Sequence, residues 1–268
     1  MTATQMPAPG SIVFQVEAAQ RRARTVFRAK FIAVWMGVVG ALLLGLWLTD
    51  NIDTEWMGTW WLFILTGAPI TVLLSVVSIM FATLLAVVGA LGRLSRNAYL
   101  NSLASLYVSF VRGTPLLVQI FLIYFALPQV GIRFDSITAG IMALSFNYGA
   151  YMTEIFRAGI QAVPKGQAEA AQALGMPERL LFRRIVLPQA FRIVIPAIGN
   201  DFIAMIKDSA LVSTIAVQEL LWHAQRAGTQ TFHTLQAYLI AALVYWLLTI
   251  IFSYFQERLE RRMARGDR

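Results

Sequence analysis

An all-α integral membrane protein with about six transmembrane helices is the fold class predicted by this 268-residue sequence. Three observations carry the prediction. First, 58% of the residues are apolar and only 13% are charged, and mean hydropathy is +0.64. A soluble domain carries about 25% charged and about 45–50% apolar residues. Second, the apolar residues gather into six stretches, at 31–49, 62–91, 115–127, 137–155, 196–217 and 234–255. Third, the basic residues fall almost wholly on one side of those stretches.

Taken in order, the opening MTATQMPAPG is polar and lacks the basic start, apolar stretch and small-residue cleavage site of a signal peptide. Residues 1–30 are expected to form a cytoplasmic tail that ends in a basic amphipathic helix with Arg21, Arg22, Arg24, Arg28 and Lys30. A bilayer core takes about 20 residues of helix, which the stretches 31–49, 62–91 and 234–255 supply plainly. The stretch 115–127 is too short alone. It crosses only as part of a helix that begins near Tyr99 and breaks at Arg112-Gly113-Thr114-Pro115. The stretch 196–217 is too polar to face lipid, since it holds Asn200, Asp201, Lys207 and Asp208. The core spans 60–258, and a basic tail over 259–268 follows it.

With six crossings and the N-terminus inside, the basic residues of 21–30 lie on the cytoplasmic side. So do Arg93 and Arg96, the run from Arg157 to Arg192 and the tail from Arg258 to Arg268. Only Arg133 and Arg226 fall outside, while Arg112 and Lys207 lie within membrane stretches. The first outer loop instead carries Asp50, Asp53 and Glu55. This is positive-inside asymmetry, and it puts both termini in the cytoplasm. The net charge of +8 therefore reports topology. No nucleic-acid partner is expected, because the basic residues are interleaved with spans and form no single patch. With no cysteine there is no disulfide, thiol nucleophile or Cys-based metal site. Two histidines, His223 and His233, are too few for a multi-His metal centre and are expected in a loop or at a span edge.

Between the fourth and fifth stretches lies a 40-residue cytoplasmic segment, 157–196, far longer than an ordinary connection. Its helix punctuation is strong. Pro164 suits a first helical position, and Lys165 to Leu174 is rich in Ala, Gln and Glu. Gly175 stands where a C-terminal glycine belongs. Pro177 starts a second helix expected to stop at Pro188. The pair makes a compact knob. Ala170, Ala171 and Gly175 leave room for another surface, and Glu169 offers it one charge.

The spacing Glu169-Ala170-Ala171, Gly175, Ile185, Leu187-Pro188 resembles the EAA signature of ABC importer permeases. The similarity extends to Phe110 through Gln119, Asn147 through Ile160, and Gly199 through Ser213, and covers residues 64–260. Within that family it is closest to the histidine/glutamate/glutamine/arginine/opine group of polar amino acid permeases. The resemblance implies a type I importer permease fold in the bacterial plasma (inner) membrane. It implies a second permease subunit, identical or not, and a dimer of ABC ATPase subunits that docks on the knob. Glu169, Ala170, Ala171, Gly175, Leu187 and Pro188 are then the coupling residues. It also implies a periplasmic or lipid-anchored substrate-binding protein that delivers an amino acid. The stretch 31–49 departs from the five-span pattern of many members and is expected to be peripheral.

No G-x-x-x-x-G-K-[ST] phosphate loop occurs and no Ser/His/Asp constellation is visible. The chain is therefore expected not to be an enzyme, and ATP with Mg belongs on partner ATPase subunits. A stand-alone ion-coupled secondary transporter would show internal repeats, and none is convincing. A non-transporting scaffold gives no reason for a polar fifth span.

An ionisable residue in a membrane stretch usually faces a cavity or a partner, because it costs about 2.5–3.5 kcal/mol there. Four places qualify as a substrate pathway. Arg112, Thr114 and Gln119 surround the Gly113/Pro115 break, although Arg112 could also snorkel to the interface. Asn147 and Glu154 lie seven apart on one helical face. Asn147 has a helix–helix bond as its competing role, and Glu154 has pairing with Arg157. Asn200 and Asp201 form the third place. Lys207 and Asp208 form the fourth; as sequence neighbours they point to different sides of a helix and need partners elsewhere.

Overall fold

The computed structural model describes residues 12–48 and 52–264. Residues 1–11 of the expected N-terminal tail, 49–51 of the first outer loop and 265–268 of the basic tail lie outside the described residues. The chain divides into two compact units, Met1–Thr54 and Glu55–Arg268.

The first unit contains one helix, α1, Ile12–Leu48, of 37 residues. The expected amphipathic helix and the stretch beginning at 31 are thus one uninterrupted helix. The reason is local: neither proline nor glycine occurs between Ile12 and Met36.

The second unit is built of helices joined by short turns. Helix α2, Thr54–Leu65, leads through the Thr66-Gly67 turn into α3, Ala68–Leu94, whose early proline needs no helical N–H partner. Together Thr54–Leu94 is long and apolar enough to cross a bilayer unaided. Helix α4, Ala98–Arg112, is capped by the Asn97 side chain, which accepts from Tyr99 N at 2.9 Å. It ends before Pro115, and α5, Leu116–Phe121, sets off at 106° to it. The break expected at 112–115 is therefore a sharp corner. A π turn and a short 3₁₀ segment carry the chain from Leu122 to Val130, and Gly131 turns it at φ 88°.

Asp135 caps α6, Ser136–Gln161, by accepting from Thr138 N at 3.1 Å. Then come α7, Lys165–Ala173, and α8, Glu178–Leu181. One expectation fails here. Pro188 does not stop the second knob helix. A π turn over Phe182–Val186 passes α8 directly into α9, Leu187–Asp208, with Leu187 N donating to Phe182 O. The wider turn accommodates a residue that has no N–H and crowds the carbonyl four positions back. Helix α9 is about 33 Å long at 1.5 Å per residue, enough to span a bilayer core. It therefore begins earlier than the expected fifth stretch and ends earlier, with 209–215 as a 3₁₀ turn. Helices α10, Leu220–Thr231, and α11, Thr234–Ala264, complete the unit.

Two cores hold these helices. One joins α2, α10 and α11 through Trp56, Ile64, Leu220, Ala227, Ala237 and Ile240. At its edge Glu219 is fully buried and caps α10. Its carboxylate accepts from Trp222 N at 2.9 Å, from Thr71 Oγ1 at 3.1 Å and from the Tyr245 hydroxyl. The larger core is built on α3 against α6. Within a membrane, helices associate by close packing of small residues, because burial of apolar surface gains little against lipid. Ala82, Ala86, Gly89 and Ala90 of α3 meet Gly149, Ala150 and Thr153 of α6. A Cβ on Gly149 would sit 2.7 Å from the Tyr107 hydroxyl and 2.9 Å from Leu85 Cβ.

A Cβ on Gly89 would overlap Thr153 Oγ1. Gly89→Ala is therefore expected to destabilise the purified chain by about 1–3 kcal/mol. Adding Thr153→Ala should restore most of that loss, read as melting temperature in detergent. Strictly additive losses would show that this contact does not limit the α3–α6 approach.

Candidate functional site

The corner between α4 and α5 is held by one side chain. Gln119 is buried and its Nε2 donates to Val111 O at 2.8 Å, Thr114 O at 3.1 Å and Thr114 Oγ1 at 2.8 Å. Carbonyls freed by the break at Pro115 are satisfied in this way within the protein, as a membrane interior requires. Gln119 Oε1 in turn accepts from Asn147 Nδ2 at 3.1 Å, which ties the corner to α6.

Beside this corner lies a cavity of about 320 Å³, lined by Thr114, Pro115 and Leu116 of the corner, Asn147, Tyr148 and Tyr151 of α6, and Asp201, Ala204 and Asp208 of α9. Such a volume lies in the range of small-ligand sites, about 300–1,000 Å³. Asp208 Oδ2 accepts from the Tyr148 hydroxyl at 2.8 Å across the α6–α9 boundary. Asp201 Oδ2 is buried and has no hydrogen-bond partner among the described residues. A buried polar atom without a partner is rare and costly in a folded protein. The cavity offers acceptors in its two carboxylates and donors in the Asn147 amide and the Tyr151 hydroxyl; the Thr114 hydroxyl already donates to Phe110 O at 3.0 Å and the Tyr148 hydroxyl to Asp208. It can hold a small zwitterion.

Four of the pathway residues expected from sequence are thus brought together: Thr114, Asn147, Asp201 and Asp208. Gln119 stands behind them as a brace. The others lie elsewhere. Glu154 is clamped by Arg157 Nη2 at 2.7 Å and Arg93 Nε at 3.1 Å, so it belongs to an ion-pair brace between α3 and α6. Asn200 Oδ1 accepts from Gln256 Nε2 at 2.9 Å and joins α9 to α11. Lys207 is exposed on α9 and does not line the cavity. Arg112 is also exposed, and its guanidinium lies 5.2 Å from the centre of the Tyr151 ring. It touches a wall of the cavity without lining it. Tyr148 and Tyr151 were missed. Tyr151, at i+4 from Asn147, lies on its face of α6 and was a usable signal, whereas Tyr148, at i+1, is turned about 100° from it. The two histidines pack against aromatic rings, His223 on Phe63 at 4.8 Å and His233 on Trp56 at 5.1 Å.

A second feature is the knob. Gly175 adopts φ 77°, Gly175 N donates to Gln172 O at 2.9 Å, and Met176 N donates to Ala171 O at 3.0 Å. This Schellman turn closes α7 and needs a residue without a Cβ penalty. Glu169, Ala170 and Gly175 are exposed, but Ala171 is buried against the chain itself and offers no surface. Leu174, beside the turn, is 87% exposed, an apolar contact the motif did not point to. Leu187 is half-buried and Pro188 exposed where the π turn enters α9. Gln189 Nε2 donates to Gln167 Oε1, which ties α7 to the root of α9.

Comparison with known proteins agrees with this geometry. Residues 79–265 match the family model described as a binding-protein-dependent transport system inner membrane component. The chain is 41% identical over 208 residues to the L-cystine transport system permease protein TcyB of Bacillus subtilis, covering 77% of this chain and 89% of that one. It is 40% identical over 206 residues to the arginine transport system permease protein ArtQ of the same organism, covering 76% and 94%. Among solved structures, a chain from an amino acid ABC transporter crystallised with histidines superposes with a TM-score of 0.76. That chain is 38% identical, and the match covers 79% of this chain and 99% of it.

The two kinds of buried charge should respond oppositely to neutralisation. Glu154→Gln removes the partner of two guanidiniums and is expected to cost about 1–2 kcal/mol of stability. Asp201→Asn relieves an unpaired carboxylate and should raise the melting temperature or leave it unchanged. Equal destabilisation by both would show that Asp201 is a structural residue.

Proposed function

Since the chain belongs to the family of inner membrane components of binding-protein-dependent transport systems, we propose that it is the permease subunit that passes an amino acid across the membrane. The fold is that of a type I ABC importer permease, multi-pass in the inner membrane, and the family works with ATPase and substrate-binding partners. In our proposal the cavity among Thr114, Asn147, Tyr148, Asp201 and Asp208 holds the amino acid. ATP and Mg are bound by two ATPase subunits, a second permease subunit completes the pathway, and both termini face the cytoplasm. The extracytoplasmic binding protein, periplasmic or lipid-anchored, supplies the cargo. Membrane lipid surrounds the apolar helix faces.

One observation carries the coupling mechanism. From Glu178 to Asp208 the chain is helical without interruption, so α8, the second helix of the knob, and the two cavity aspartates sit on one helical run. Within the chain, α7 packs on α8 and the π turn that lead into that rod. Force applied to Glu169, Ala170 and the Leu174–Gly175 tip is delivered to α9, whose displacement changes the cavity wall that bears Asp201 and Asp208. A stand-alone ion-coupled transporter has no support in the family match and leaves the exposed knob without a role.

The test is replacement of Glu169 by Lys, and separately Gly175 by Val, in the assembled transporter. The expected result is at least about tenfold slower uptake, the scale of losing one charge-assisted contact, with less ATPase subunit co-purified. Unchanged uptake and recruitment in both variants would remove the coupling role from the knob.

A further inference from the structure

We propose that the C-terminal end of α11 is a binding site for an acidic phospholipid. At about 100° per residue, Gln256 and Glu260 share one side of this helix, and Arg258, Arg261 and Arg262 share the opposite side. The first side is engaged within the chain. Gln256 Nε2 donates to Asn200 Oδ1 of α9 at 2.9 Å and to Glu260 Oε1 at 2.9 Å. The arginine side is exposed and lines a recess of about 390 Å³ together with Tyr254 and Glu257. Three guanidiniums meet one carboxylate there. Glu257 Oε2 accepts from Arg261 Nη2 at 2.9 Å, with both groups exposed. Arg258 and Arg262 have no acidic partner among the described residues.

The recess has the chemistry of a phosphodiester site. Guanidinium groups bind phosphate oxygens through paired, charge-assisted N–H donors, and the Tyr254 hydroxyl adds a neutral donor. Positive charge remains in excess after Glu257 is counted. A headgroup with its own ammonium is repelled by that excess, whereas one with phosphate alone neutralises it. The rest of the helix face points to the source of the phosphate. Leu243, Leu247, Ile250 and Ile251 are exposed on the same side of α11, in line with Tyr254. From Leu243 to Tyr254 this strip runs about 17 Å at about 1.5 Å per residue, close to the ~15 Å of hydrocarbon in one leaflet. Thr234–Met263 is itself long and apolar enough to cross a bilayer. An acyl chain therefore lies along the leucines and isoleucines, and its headgroup enters the recess. Tyr254 stands between the two, at the depth where amphipathic rings gather and basic residues meet acidic lipid. A free phosphate ion uses the guanidiniums but leaves the apolar strip without a role. In the orientation proposed above, the leaflet is the inner one. The site does not depend on which molecule the permease carries.

The experiment uses the complete permease–ATPase complex, purified through a tag on this chain and stripped of lipid in detergent. Native mass spectrometry follows its titration with diphosphatidylglycerol, phosphatidylglycerol and phosphatidylethanolamine. The two acidic lipids are expected to bind at least about tenfold more tightly than phosphatidylethanolamine. Arg258→Gln combined with Arg262→Gln should weaken the acidic lipids by about tenfold and leave phosphatidylethanolamine unchanged. Arg96→Gln removes an exposed arginine outside the recess and should change none of the three. An equal loss from Arg96→Gln would reduce the preference to general surface charge and overturn the site. Excess inorganic phosphate should not displace the lipid; full displacement would make the recess a free-phosphate site instead. Equal binding of all three lipids by the intact complex would also overturn the proposal and leave the arginine face to a protein partner. If the double variant fails to assemble, the ranking of lipids on the unaltered complex decides the matter.

Discussion

The polar cavity and the Glu154 ion pairs depend on how closely α3 and α6 approach. With Gly89 against Thr153 and Gly149 against Leu85 and Tyr107, the two helices meet almost backbone to backbone. That contact fixes the rotation of α6 about its axis. Asn147, Tyr148 and Tyr151 then face the broken α4–α5 corner and α9, while Glu154, lower on the same helix, reaches Arg93 of α3. A helix free to roll would smear these positions, and lipid supplies no apolar driving force to stop it. Steric fit of small side chains takes the place that a large hydrophobic core holds in a soluble protein.

The carboxylates and carboxamides that hold α3, α6 and α9 in place divide into two groups. Gln119, Glu154, Asn200 and Gln256 have their hydrogen-bonding capacity used within the chain, and each ties one helix to another. Asp201 and Asp208 do not, or do so only in part. The satisfied groups make the scaffold rigid enough to bear the unsatisfied ones. The pattern matches the general observation that strain and incomplete bonding gather where a protein works.

The sequence made the membrane class, the two-helix knob and the corner at Pro115 legible, because each rests on local rules: apolar run length, proline chemistry and glycine at a helix end. The positive φ of Gly175 and the break after Arg112 are the direct outcomes. What stayed hidden was long-range. Nothing near Glu154 says whether it meets Arg93 or a ligand, since the two are 61 positions apart. Nor does anything near Glu219 announce that Thr71 and Tyr245 will close over it. Pro188 misled for a different reason. A proline ends a regular α-helix, but a π turn just before it lets the rod continue, and that choice depends on packing beyond the local sequence.

The bond from the Tyr148 hydroxyl to Asp208 has a kinetic meaning. It is a clasp fastened between a helix braced on α3 and a helix rooted in the knob. At 2.8 Å it tolerates little slack along its own line: drawing α9 away from α6 by about 1 Å carries the oxygens out of bonding range. Unfastening leaves the tyrosine and the aspartate to be rehydrated separately, and water admitted there weakens the grip on any bound molecule. In the proposed importer, the same small displacement that opens the wall would also let the bound molecule go, with no need for a second moving part.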